Sequence, residues 1–408
     1  MDVVMKMEKQ ILHIDVNNAF LSWTAVEMLK NGYDLDIRTI PAVIGGDESR
    51  RAGIVLAKSS IAKEFGISTG ETIYSARKKC PQIKVFPTNF KIYTEYSNRL
   101  YNLLLEYTDI IERFSIDECF LDMTHFLQKQ TLIEKAQEIS RRVKEELGFT
   151  VNIGVANNKL LAKMASDFQK PDKIHSLFKE ELPTKMWPLP VGELFMIGRK
   201  SVPKLYNMQI KTIGDLAKAD VNLLIKRFGK HGKIMWEYAN GIDDSEVQYK
   251  YENPKGVGNS VTLPMDVVDI DKLSEILLSL TEHVTYRLRK YDLLANVVNV
   301  QLRTSEFHDY SHQGKLDVAT SSTKIIYKRA RELLEEMYKG EAVRLVGVRV
   351  DNLEEKGTSQ MNLFSNENIE KQDKLDNVLD SLKKKYGYDS ISRAGKMNVD
   401  DIVKYKKD

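Results

Sequence analysis

The sequence predicts an α+β fold in which two sheet-bearing regions are separated by an all-helical one. Two observations carry that expectation. With residues 31–88 set apart, residues 10–155 place strand-length apolar runs between helix-length segments in the order β-α-β-β-α-β. Residues 255–351 repeat that order, whereas residues 171–240 show helical patterning and glycine-bounded turns. A chain of 408 residues is long enough for about two to four domains with sizeable cores.

Composition narrows the class. Lys and Arg number 61 against 58 Asp and Glu, a net charge of +3, so the average does not advertise a nucleic-acid binder. The distribution says more: residues 171–240 hold 12 basic against 7 acidic residues, while residues 1–170 hold 23 against 22. A local basic surface would therefore have to attract phosphate. The two cysteines, Cys80 and Cys119, sit at no metal-ligand spacing, which fits a reducing compartment without disulfides. No apolar signal segment opens the chain and no apolar run is long enough to span a bilayer. A cytoplasmic protein without membrane association is expected.

Taken in order, residues 1–9 read as a frayed start and a strand begins at Ile11, followed by a helix over 22–30. Strands over 37–44 and 53–57 flank the turn signal Gly45-Gly46-Asp47, and a helix ends near Gly66. Helical patterning returns over 90–107 and 131–147, and a strand covers 150–155. Lys159, Lys163 and Lys170 follow on a helix and its exit, the first two reading as solvated residues or DNA contacts. After a linker at 243–254 come strands over 257–263, 295–304, 316–318 and 343–350, with helices over 271–290 and 322–338. A polar amphipathic helix over 368–386 precedes a loose end.

One stretch stands out chemically. Phe114-Ser-Ile-Asp-Glu-Cys-Phe-Leu-Asp122 places the adjacent acids Asp117 and Glu118 in an apolar, hairpin-like segment. Burying both without a counter-charge costs several kcal/mol, so either this is a surface turn or something positive sits against it. The first strand ends on a third acid, Asp15, which could complete a three-carboxylate cage. Oxygen-only ligation suits Mg²⁺ rather than zinc. Two Mg²⁺ ions about 3.5–4 Å apart would clamp the attacking and leaving oxygens of an in-line phosphoryl displacement.

Asp15 with an aromatic five residues on at Phe20, then Ser115-Ile-Asp-Glu-Cys-Phe-Leu-Asp122, resembles the Y-family (DinB/UmuC-like) translesion DNA polymerases. The resemblance continues through Asn158-Lys-Leu-Leu-Ala-Lys-Met-Ala-Ser-Asp-Phe-Gln-Lys-Pro171, Phe228-Gly-Lys-His-Gly232 and Ala239-Asn-Gly-Ile-Asp243, and spans residues 10 to 350. It implies a right-hand polymerase: a ferredoxin-like palm at 1–30 and 89–170, small fingers at 31–88, a helical thumb at 171–242 and a linker at 243–254. A β-α-β-β-α-β little finger at 255–351 and a tail at 352–408 complete the assignment. The reaction implied is template-directed, low-fidelity nucleotidyl transfer past damaged bases, with two Mg²⁺ held by Asp15, Asp117, Glu118 and the Val16 backbone. No exonuclease segment is apparent, so proofreading is not expected.

The same resemblance assigns the remaining sites. Phe20 would lie against the sugar of the incoming deoxynucleoside triphosphate and exclude a 2′-hydroxyl. Ser60 and Lys63 stand where the family carries Tyr and Arg toward the triphosphate; Lys63 keeps the charge without the bidentate fork. Lys170 is the triphosphate lysine, and Ile54 lies over the nascent base pair. Gly198 and Lys200 fall in a helix-hairpin-helix turn whose usual first glycine is Met196. Such a turn aims backbone N–H groups at primer-template phosphates. Gly229, Lys230 and Gly232 form a second such turn, and Arg303 belongs to the little-finger DNA face, where charge is balanced at 14 against 14 over 255–351. Gln360, Met361, Leu363 and Phe364 resemble the bacterial sliding-clamp peptide, in which apolar residues enter a pocket while the glutamine sets register. A monomer is expected. Two rivals are a palm-fold nucleotidyl cyclase, which would need neither thumb turns nor little finger, and a non-catalytic clamp- and DNA-binding accessory factor.

Overall fold

The computed structural model describes residues 8–48, 51, 53–127, 130–250, 252–356, 367–387 and 390–391. The chain divides into two compact units, Met1–Gly46 with Val55–Tyr251, and Asp47–Ile54 with Glu252–Lys407.

In the first unit, β1 (Ile11–Val16) leads into α1 (Ala19–Lys30). The chain then leaves for a small three-stranded sheet of β2 (Ala42–Gly45), β3 (Val55–Lys58) and β4 (Lys84–Pro87), in the order β3-β2-β4. The short helices α2 (Ser60–Glu64) and α3 (Ile73–Lys79) cover it with their own apolar core, Val43, Val55, Ile67 and Ile73 among others. Residues 37–39, expected as strand, form a 3₁₀ turn begun by the Asp36 side chain, which accepts from Arg38 N. The chain returns along α4 (Phe90–Leu104). Next come β5 (Ile111–Arg113), β6 (Glu118–Asp122), α5 (Leu132–Arg142), β7 (Val151–Ala156), α6 (Lys159–Asp167) and β8 (Ile174–Ser176). The large sheet has the order β5-β6-β1-β7-β8, all pairs antiparallel except β7 with β8. Without its edge strand β8, this is the expected β-α-β-β-α-β palm.

All six residues of β1 are buried because both faces of the sheet are covered. Leu12, Ile14 and Val16 face the core shared with α1, α4 and α5, whereas Ile11 joins the cluster containing α6. The two-residue period of a strand therefore sends His13 and Asp15 toward α6 as well. Beyond β8, α7 (Val202–Tyr206), α8 (Ile213–Lys218), α9 (Val221–Phe228) and α10 (Lys230–Ala239) form the all-helical thumb.

The second unit is an antiparallel sheet of β9 (Gly256–Val267), β10 (Leu293–Thr304), β11 (Asp309–Thr320) and β12 (Val343–Glu355), in the order β11-β10-β12-β9. Packed on it are α11 (Ile270–Lys290) and α12 (Thr323–Met337). The expected order holds, but β11 is a full twelve-residue strand rather than three. A last helix, α13 (Glu367–Tyr386), forms where one was expected and is held by charged groups. Arg289 of α11 grips its Asp380 through Nε and Nη2 at 2.6 and 2.9 Å. Buried Asp376 accepts from Thr323 N at 3.0 Å, at the start of α12.

Candidate active site

The register of the palm sheet brings the three acids together. Asp15 of β1 lies directly opposite Glu118 of β6, and Val16 N donates to the Asp117 carbonyl at 3.0 Å. The hairpin tip is tied back by Phe114 and Ser115 N–H groups donating to the Glu118 carbonyl. Asp15 and Asp117 line one cleft of about 320 Å³, together with Val16, Phe20, Ser60, Lys63 and Lys170. Of the residues expected around the triphosphate, only Ile54 is missing from its walls. That residue is 45 % exposed, and the walls take Leu56, Ala57 and Lys58 from β3 instead. Val55 and Ala57 are buried, which leaves Leu56 and Lys58 on the strand's open side.

Lysines supply the positive charge facing the acids. Lys163 Nζ lies 2.9 Å from Glu118 Oε1, 3.7 Å from Asp15 Oδ2 and 3.6 Å from Asp167 Oδ2. Lys170 Nζ is 3.0 Å from Asp15 Oδ2 and 2.9 Å from Asp167 Oδ1. The expectation of a solvated Lys163 is thus wrong: it is buried under the sheet, because α6 crosses the face that presents Asp15 and Glu118. Lys159 is likewise engaged, with Glu112 at 2.7 Å.

This arrangement splits the two carboxylates electrostatically. Burial raises Asp15 to about 6, reinforced by the Glu118 charge, and the two lysines only partly oppose it. Burial also disfavours the Glu118 anion, but His13 and Lys163 outweigh it and bring that carboxyl down to about 2. Burial lowers the affinity of Lys163 for its proton too, yet Asp167, Glu118 and Asp15 leave it above its ordinary value.

No three His, Cys, Asp or Glu side chains among the described residues stand ready as a metal cage. Lys163 and Lys170 occupy oxygens of Asp15 and Glu118, and the Asp117 carboxylate accepts from the Ser115 hydroxyl at 2.6 Å. The donor chemistry still fits a hard cation: Asp15 and Asp117 offer only oxygen to the cleft, and an acid held at about 6 by burial gains from any added positive charge.

The other expected contacts divide. Gly198, Lys200, Gly229 and Lys230 are exposed, but Gly232 is buried. A Cβ at Gly232 would come within 2.2 Å of the Leu224 carbonyl oxygen, so this glycine lets α10 lie against α9 rather than offering an N–H to phosphate. Met196, standing where the family carries the first glycine of the hairpin, has a glycine-like backbone with φ +71. Arg303 is already paired with Asp309, Nε–Oδ1 2.8 Å and Nη2–Oδ2 3.0 Å. Gln360, Met361, Leu363 and Phe364 lie outside the described residues. Sequence reading missed Lys58, Leu56 and the inward turn of Lys163; only the alternation along β3 carried a signal for the first two.

Two family models match the chain: the impB/mucB/samB family over residues 14–167 and its C-terminal domain over residues 254–363. DNA polymerase IV of Clostridium acetobutylicum is 50 % identical over 388 residues, covering 95 % of this chain and 98 % of that one. DNA polymerase IV of Acetivibrio thermocellus is 36 % identical, covering 95 % and 97 %. Among solved structures, a Y-family DNA polymerase chimera aligns with TM-score 0.75 at 26 % identity, over 85 % of this chain and 99 % of that one. The chain belongs to the impB/mucB/samB family, the DinB-like Y-family DNA polymerases.

Proposed function

We propose that the cleft beside Asp15 and Asp117 is the nucleotidyl-transfer site of this polymerase. As a Y-family member the chain is a translesion DNA-directed DNA polymerase, acting on primer-template DNA and deoxynucleoside triphosphates. The observation that carries the site assignment is the alignment of Asp15 opposite Glu118, with Asp117 and Asp15 on the wall of a cleft that also holds Lys63 and Lys170.

In this reading Asp15, Asp117, Glu118 and the Val16 carbonyl hold two Mg²⁺ ions. Such ions supply a lowered pKa for the primer 3′-hydroxyl and charge neutralisation for the departing pyrophosphate. Lys63, Lys170 and the Ser60 hydroxyl position the triphosphate, and Lys58 adds a third cation to the same wall. Phe20 faces the sugar and leaves no room for a 2′-hydroxyl. Lys163 keeps Glu118 ionised and oriented from beneath the sheet. Binding of a sliding clamp through Gln360, Met361, Leu363 and Phe364, a monomeric state and a cytoplasmic location complete the proposal. No helix among the described residues is long and apolar enough to cross a membrane.

Primer extension tests the assignment. Asp117→Ala/Glu118→Ala should lower synthesis by at least about a thousandfold while primer-template binding persists. Wild-type extension by that variant would remove these acids from the chemistry. A non-catalytic accessory role is not favoured, since the matched relatives are polymerases over nearly the whole chain.

A further inference from the structure

Phe20 has two working faces. One lines the cleft; the other lies on Tyr93 of α4, ring centroids 4.7 Å apart and planes tilted by 41°. Trp23 meets Phe20 edge-on at 5.9 Å, and Phe90 stands at 6.3 Å. Tyr93 and Trp23 are fully buried, and Trp23 is itself held by Phe149 at 6.2 Å. The Thr24 hydroxyl donates to the Phe20 carbonyl at 2.7 Å, which leaves its oxygen free to accept from the Tyr93 hydroxyl at 3.4 Å. One threonine thereby ties the backbone of Phe20 to the ring behind it.

We propose that Tyr93 is a positioning residue for sugar selection: it is the backstop that keeps Phe20 against the sugar. The inference rests on Phe20 acting as the sugar gate. An aromatic ring excludes a hydroxyl only while it cannot yield. A phenylalanine yields readily by small χ1 and χ2 excursions when space lies behind it, at a cost of only about 1 kcal/mol. Protein interiors leave few voids larger than a water, and here the volume behind the gate is filled by Tyr93. Truncating that ring would open a cavity on the rear face of Phe20, because the surroundings relax only partly. A deoxynucleotide does not press on the gate, so its insertion does not draw on the backstop. A ribonucleotide does.

Single-nucleotide insertion by the full chain tests this, as kcat/KM for matched deoxy- and ribonucleoside triphosphates. Tyr93→Leu should cut the preference for the deoxy sugar about tenfold or more. Tyr93→Phe, which keeps the ring, should hold the wild-type preference. Phe20→Ala should relax the preference further, and Tyr93→Leu added to Phe20→Ala should change it no more, since the two act through one contact. A general loss of stability would lower both substrates alike and leave the ratio untouched. Wild-type preference in a cooperatively melting Tyr93→Leu protein, or additivity in the double variant, overturns the backstop. Unchanged selectivity in Phe20→Ala overturns the gate itself. If Tyr93→Leu does not fold, Tyr93→Met, which also removes the rigid ring, carries the same two outcomes.

Discussion

His13 lies fully buried beneath the acids, with Nδ1 2.8 Å from Ser166 Oγ and Nε2 3.5 Å from Glu118 Oε2. Ser166 donates its own proton to the Lys163 carbonyl, so Nδ1 is the donor to Ser166. Burial holds the ring down to about 4 from an ordinary 6.5, and the long approach to Glu118 offsets only part of that. Between those values the unfolded chain binds a proton that the folded ring refuses, so this position loses stability as pH falls through the window. Asp15 works in the opposite sense from 3.8 to about 6: its folded carboxyl keeps the proton, and its contribution declines as pH rises. The wild type should therefore show a shallow acid limb. His13→Asn should cost about 2–3 kcal/mol less at pH 4.5 than at pH 7, read from urea midpoints in EDTA. An equal cost at both pH values would mean that the ring protonates within the fold. Single residues were unevenly legible. Asp15 stood out as the acid ending an apolar strand, and Phe20 and Lys170 through the resemblance to the family. Lys163 did not, because a lysine at helical spacing reads as solvated until strands 148 and 45 residues distant are laid against it.

At the scale of elements, the approach of α6 to β7 decides where the lysines sit. A Cβ on Gly154 would fall 1.8 Å from the Ala162 carbonyl oxygen and 2.7 Å from Ser166 N, so the helix rests on bare strand backbone. Gly154→Ala should lift α6 off the sheet, costing about 3 kcal/mol or more and lowering synthesis with it. Denaturant unfolding near the wild-type midpoint would show that the helix can give way. The core strands β1, β6 and β7 were readable as apolar runs, the first two marked by acids at their ends. The strands β4 and β8 were not, being four and three residues long with mixed exposure. The length of β11 was hidden for another reason: its first half is exposed, so no apolar alternation marks Asp309–Gln313. For α13, the polar sequence marked the helix but not what it docks on. Its docking uses charged groups, Asp376 and Asp380 on Arg289, which hydrophobic periodicity does not register.

At the scale of the molecule, each unit carries its own apolar core. Val257, Leu277, Val300 and Leu333 belong to the second, while the palm, fingers and thumb cores lie in the first. A fragment of residues 252–408 should therefore fold alone and melt cooperatively, as a piece of this size can bury enough surface to do so. A broad, non-cooperative melt would show that it depends on the rest of the chain. The succession of sheet-bearing and helical regions was legible because strands and helices carry different periodicities. The electrostatic character was legible only in outline: the sequence places Arg303 and Arg349 on the little finger, but not that Asp309 and Asp351 already claim them.

The central strand of the palm also sets a timetable for synthesis in the cell. β1 is made first, yet its two neighbours, β6 and β7, begin at Glu118 and Val151. At about 5–20 residues per second, a ribosome needs on the order of ten seconds to deliver the second neighbour. Throughout that interval β1, four of whose six residues are apolar, has both edges unpaired and open to pairing with another chain. A nascent chain stalled before Ala156 lacks a closed palm sheet, and Lys170, which lines the cleft beside Asp15, is made later still.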